Sequence, residues 1–252
     1  MLIPFEIWQW LLAILCAVVI GFAKTGVQGT GVLIMPLAAL ILPARASTGF
    51  VLPMLCLADI MAIVYWRRHV EWKQLARLLP WTIVGIILGF FGLGRISNDQ
   101  LMIALGIIIL TLLGLNALMD RYPAFSRSIP HSPWFSATLG TLTGTVSMLS
   151  NIAGPLATIY LLALGLDKKR FISTNAWLFW IINLIKLPFS GRLGLIDGQS
   201  LLTNLALLPA LIVGGALGIL LIHRIPQKAF NRLVWFLALA AGIYLCIAPL
   251  LP

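Results

Sequence analysis

The sequence predicts an all-α polytopic membrane bundle, built as two inverted repeats of about five segments each with broken or re-entrant helical hairpins. Three observations carry that prediction. Of 252 residues, 61% are apolar and only 10% charged, and the mean hydropathy is +1.04. A soluble domain carries about a quarter charged residues. Apolar stretches then follow one another in long runs with short connections, which is not the alternating pattern of a membrane barrel. Finally, two distant passages agree without a gap: "LLPWTIVGIILGFFGLGRI" (78–96) and "LLPALIVGGALGILLIHRI" (207–225) share ten of 19 positions, including Pro80, Gly85, Gly89 and Arg95 in register.

In chain order the apolar segments fall near 7–23, 30–43, 47–66, 76–94, 100–119, 133–148, 152–165, 171–190, 200–222 and 229–250. No Lys or Arg precedes the first, so it lacks the basic leader of a cleaved signal peptide and is read as a helix of the mature chain. The second and seventh fall short of the roughly 20 residues that span a bilayer. Each follows a polar break, "KTGVQGTG" or "SMLSN", so segments 1–2 and 6–7 are read as hairpins that cross or re-enter the membrane. Connections after segments 1, 3, 5, 7 and 9 hold 13 basic residues, and those after 2, 4 and 8 hold 3. The rich side is expected in the cytoplasm, with both termini outside a bacterial inner membrane.

The two passages that open each half are similarly spaced. Gly21 and Pro36 are 15 residues apart, as are Gly140 and Pro155. This divides the chain into a first membrane repeat (1–119), a cytoplasmic linker (120–132) and a second, inverted repeat (133–252). An odd number of segments per half turns the second half over, and inverted repeats with interrupted segments point to a transporter whose substrate sits at the repeat interface. Irregular backbone at that depth is tolerated only where it lines a cavity or is buried in protein.

The expected lining follows from the breaks. The first supplies Lys24, Thr25, Gln28 and Thr30, with Gly26, Gly29, Gly31 and Pro36 shaping the backbone. The second supplies Thr143, Thr145, Ser147, Ser150 and Asn151, with Gly154 and Pro155 in the shaping role. Asn175 and Thr174 on segment 8 are weaker candidates. Neutral donors with one cation suit a small anion, whereas a metal ion wants carboxylate or imidazole. Only two other charges lie well inside segments, Asp59 and Lys186. Each costs about 2.5–3.5 kcal/mol at a helix centre on insertion scales, so each needs a partner or water. Asp59 aligns with Asn183, and Lys186 is three residues further on the same helix face. One expectation is an Asp59–Lys186 pair, either structural or with Asp59 taking up a coupling proton; the other is that Lys186 binds the substrate anion.

Several classes drop out. The net charge of +10 sits in loops, as the positive-inside rule requires, and does not signal nucleic-acid binding. His69, His131 and His223 do not cluster, and Cys16, Cys56 and Cys246 lack metal spacing. No enzyme constellation, phosphate loop or cofactor motif is present.

With the paired Gly-rich, Pro-ended passages "GFAKTGVQGTGVLIMP" and "GTVSMLSNIAGPLATIYLL", the chain resembles the sulfite exporter TauE/SafE family of permeases. The run "LDKKRFISTNAWLFWIINLIKLP" resembles a branch in which a basic loop leads into a helix ending Asn-x-x-Lys-x-Pro. The family's GxGGG form is kept only in part, as "VQGTG" and "SMLSNIAG". The resemblance implies secondary transport, usually outward, of sulfite, organosulfonates or related anions across the lipid bilayer. A non-transporting membrane subunit or assembly factor, and a permease for another solute, are the alternatives. The repeat interface is also compatible with a homodimer.

Overall fold

A computed structural model of the protein describes residues 2–26, 28–66, 69–121, 133–164, 166, 168–221, 235–236, 239–240 and 242–250. Most of the linker, the start of the tenth segment, and Arg67, Arg68, Arg127, Arg224, Lys228 and Arg232 lie outside the described residues. All regular structure among the described residues is helical. Helix α1 is Ile7–Thr25, followed by a 3-10 turn (Gln28–Leu33) and the short α2 (Ile34–Ile41). Then come α3 (Ala44–Trp66), α4 (Trp72–Arg95) and α5 (Asn98–Arg121). The second half has α6 (Pro133–Ser150), α7 (Gly154–Ala163), α8 (Lys168–Arg192), α9 (Gly198–Ala206) and α10 (Leu208–Leu221).

Helices α1, α3 and α4 are long and apolar enough to cross a membrane; α9 and α10 reach that length and apolarity only together, bent by 51° as a broken span or a re-entrant loop. The bend lies at Leu207–Pro209. Proline has no amide hydrogen for the carbonyl four residues back, and the Leu205 carbonyl instead accepts from the Leu207 amide. The sequence places one segment over 200–222 with Pro209 interrupting it, and the bend falls at that proline. α2 and α7 are 8 and 10 residues long, or about 12–15 Å at 1.5 Å per residue, too short to cross. Pro36 and Pro155 fall in their first turns, where proline is tolerated. They start helices rather than interrupt them.

α3 and α8 pack together at the centre, α1 packs on α10, and α4 packs on α6. The outer faces of α1, α4, α9 and α10 expose large apolar side chains, among them Leu11, Ile14, Leu88, Phe91, Leu205 and Val213. Apolar surface on this scale belongs in lipid. Inside, the driving force is close packing, because lipid tails are as apolar as leucine, and small residues let backbones approach. A Cβ on Gly214 would stand 2.1 Å from the Val18 carbonyl oxygen, and one on Gly85 2.1 Å from that of Thr141. Gly85 and Gly214 are matching positions of the ten-in-19 alignment.

The same contacts correct one register. A Cβ on Gly21 would meet the Leu211 oxygen and Gly215 nitrogen, and one on Gly144 would meet the Thr82 oxygen and Ile86 nitrogen. Thr82 and Ile86 match Leu211 and Gly215 in that alignment. Gly144, one turn beyond Gly140, thus packs on α4 at the positions that match those under Gly21 on α10. Gly140 packs instead on Leu78 and Trp81. The spacing to proline misleads because the two breaks differ in length between helix and helix.

Gly214→Ala and Gly85→Ala are each expected to cost about 1–3 kcal/mol through overpacking. Gly114→Ala, whose Cβ would meet nothing within 4 Å, should be neutral or stabilising. Thermal unfolding in detergent checks all three.

Candidate functional site

α1 ends at Thr25, and Lys24 lies in its last turn, where a cation is favoured by the helix dipole. Its ammonium approaches Asp59 Oδ1 of α3 at 2.7 Å. The two groups form a largely buried ion pair. The same ammonium lies 4.6 Å from the centre of the Phe179 ring on α8, within cation–π range. Lys24 keeps 18% of its side chain exposed, whereas Asp59 keeps 1%. The other Asp59 oxygen, Oδ2, accepts from Asn183 Nδ2 at 2.7 Å.

Lys186 is buried one turn further along α8. Its ammonium donates to Ser147 Oγ at 3.1 Å, to Asn183 Oδ1 at 3.5 Å and to Asn151 Oδ1. This corrects the expected ion pair. Asp59 pairs with Lys24, and Lys186 connects to Asp59 only through the Asn183 amide. The reason is rotational: Asn183 faces α3 directly, and Lys186 is turned toward the second break.

Asn151 is the hub of that break. It has φ 56, a left-handed backbone that Asn tolerates better than most residues. Its Nδ2 donates to the Thr48 carbonyl at 2.9 Å and lies 3.8 Å from Met35 Sδ. Asn151 therefore ties the break to α2, α3 and α8 at once. Ser150 shapes the same turn: it donates to the Val146 carbonyl and accepts from the Ile152 amide.

Around these groups lies a cavity. It is lined by Ala23 and Lys24 of α1, by Gly31, Val32 and Ile34 after the first break, and by Leu55 and Asp59 of α3. Asn151, Ile152, Gly154 and Thr158 close one side, and Asn175, Ala176 and Phe179 of α8 the other. It leaves about 70 Å³ for the centres of water-sized molecules. One water needs about 10–15 Å³ of such space, so the cavity takes about five waters or one small oxyanion. Any Cβ on Gly154 would enter open space, and the Asn175 Oδ1 is buried without a hydrogen-bond partner among the described residues.

Both breaks therefore contribute to one cavity. Of the expected residues, Lys24, Gly31, Asn151, Gly154 and Asn175 line it, and Ser147 and Lys186 stand behind Asn151. Others serve elsewhere. Thr25 donates to the Gly21 and Gly215 carbonyls and helps seat α1 on α10, and Gly26 packs against Gly218. Thr145 bonds the Thr141 and Gly85 carbonyls. Thr174 accepts from the Glu71 amide. Thr30, Thr143 and Pro36 are buried off the cavity wall. Gln28 and Gly29 belong to the 3-10 turn, and their side-chain surroundings, like those of Pro155, lie outside the described residues. Phe179, Thr158 and Leu55 were not foreseen, because nothing distinguishes them from ordinary core residues. Asn183 had a signal, its alignment with Asp59.

The cluster carries two ammonium groups and one carboxylate, a formal surplus of one positive charge. No group of three metal-ligating side chains occurs among the described residues. Such a site suits an anion. Asn151→Ala is expected to be less stable than Asn151→Gly by about 1 kcal/mol, because alanine retains the left-handed strain that glycine escapes. Paired thermal melts in detergent read the difference.

The family model for the sulfite exporter TauE/SafE matches residues 13–245. The probable membrane transporter protein MamO of Magnetospirillum gryphiswaldense is 23% identical over 203 residues, 64% of this chain and 32% of that protein. The probable inner membrane transporter protein TsaS of Comamonas testosteroni is 25% identical over 179 residues, 71% of this chain and 73% of that protein. The match thus spans about a third of the first relative's length. No solved structure matches.

Proposed function

We propose that this chain, which belongs to the TauE/SafE sulfite exporter family, carries a small sulfur-containing or organic anion across the bacterial inner membrane by alternating access. The family and both relatives are named for membrane transport, and the chain is a membrane transporter rather than an enzyme. The observation that carries the substrate class is the cavity shared by the two breaks, with a partly exposed Lys24 at its wall and a surplus positive charge around it. Its size favours sulfite or a short sulfonate over a bulky solute. Gly31 and Gly154 open the starts of α2 and α7 to the same space, and helix N-termini favour anions.

This reading makes the protein two inverted repeats, 1–119 and 133–252. The pairing of α1 with α10 and of α4 with α6 supports it, since each joins the first helix of one half to the fourth span of the other. The hydrogen bond between Asp59 and Asn183, positions aligned in sequence, also supports it. In this arrangement the basic loops face the cytoplasm, both termini lie outside, and transport runs outward. Asp59 is the group that would carry a coupling proton.

The test is an uptake and binding screen on purified protein in liposomes with sulfite, sulfate, thiosulfate, sulfoacetate, taurine and acetate. Wild type and Lys24→Ala are compared for each. Saturable transport of an anion is expected, reduced at least about tenfold in the variant, the equivalent of about 1.4 kcal/mol. No flux or binding of any anion by folded protein overturns the reading and favours a non-transporting subunit.

A further inference from the structure

We propose that Asp59 is a built-in counter-anion that competes with the substrate for Lys24, so that each anion loads together with one proton and the empty carrier can still reorient. The proposal rests on the anion-transport reading above and deepens it.

Lys24 and Asp59 line the same cavity and touch each other across it at 2.7 Å. An anion entering the cavity therefore meets its cation with a carboxylate already in place. Lys24 holds Oδ1 by charge, and an entering anion offers that ammonium the same kind of partner. Oδ2 stays anchored by Asn183 at 2.7 Å, which keeps the carboxyl group where it is during the exchange. With a substrate anion on Lys24 and a charged Asp59 beside it, two negative charges would share one buried cation in a low-dielectric site. A proton on Oδ1 removes that repulsion.

Among the described residues, Asp59 is the acid that touches Lys24. Facing Asp59 are Lys24 from α1 and Lys186 from α8, the latter through Asn183, with Cys56 one turn earlier on α3 itself. α2, α9 and α10 carry no titratable side chain, and α5 and α8 carry their remaining charges at their ends. Lys186 is held by three neutral oxygens.

The balance is simple. Empty, the site holds an ammonium and a carboxylate. Loaded, it holds an ammonium, the substrate monoanion and a neutral carboxyl group, the proton having come from the side that supplied the anion. Release reverses both events. The Lys24–Asp59 pair, counted with any bound substrate, carries the same net charge in either case, so Lys24 crosses the membrane with a compensating anion in both forms. Without the Asp59 carboxylate, the empty form would lack that anion, and only anion-for-anion exchange would continue.

The probes are methanesulfonate and, second, sulfoacetate, whose charges do not change over the neutral range. Wild-type protein in weakly buffered detergent solution is expected to take up one proton per methanesulfonate bound, read by a pH indicator alongside calorimetry. In liposomes, Asp59→Asn should keep exchange of labelled for unlabelled probe and lose net flux by about tenfold or more. Asp59→Glu should regain proton uptake and part of the net flux. Anion binding by wild type without proton uptake overturns the proposal, and this measurement stands whether or not the variants fold. Equal net flux in folded Asp59→Asn overturns it too, as does loss of exchange together with net flux. Failure of folded wild type to bind either probe overturns the sulfonate reading itself, which is a separate result from binding without a proton.

Discussion

A charge at membrane depth has to be paired, hydrated or moved to the surface, and the Lys24–Asp59 contact meets that constraint for this protein. The contact demands that α1 stop at the right level, so that Lys24 reaches inward from its last turn. It demands that α3 lie beside α8, where Asn183 holds the second carboxylate oxygen. It also leaves the cluster one positive charge in surplus, because Lys186 is satisfied by Ser147, Asn151 and Asn183 and not by a carboxylate. A surplus positive charge beside a small polar cavity is what the anion-transport proposal rests on.

The packing around the cluster makes the cavity possible. Glycines draw α1 onto α10 and α4 onto α6 until backbone meets backbone, with Gly21, Gly214, Gly85 and Gly144 at the points of contact. The short helices α2 and α7 then end inside the bundle. Their polar breaks face each other across the space between α3 and α8, where they line the cavity and remain out of lipid. The left-handed backbone at Asn151 belongs to this arrangement. Asparagine stands there where the family's glycine-rich form is filled in, and its side chain takes on the work of joining three helices.

Much of the architecture was legible in the sequence. The helical class, the breaks and the short second and seventh segments could all be read, because the bilayer imposes length and apolarity locally and glycine and proline punctuate the backbone locally. The meeting of both breaks at one cavity was legible through the repeat. The ion partner of Asp59 was not. Asp59 and Lys186 looked complementary along the chain, yet a helix rotation brings Asn183 to Asp59 and turns Lys186 toward Asn151. Thr25 and Thr145 looked like substrate donors but bond carbonyls of packed helices.

What the sequence by itself determined is therefore the class, the position of the breaks and the residue types near them, since these follow from hydrophobicity and backbone chemistry along one dimension. Only the tertiary structure decided which cation meets Asp59, which glycine answers Gly21, and which polar groups reach the cavity. Those outcomes depend on the rotation and axial offset of each helix against its neighbours. A shift of one turn changes every partner while leaving the hydrophobic pattern the same.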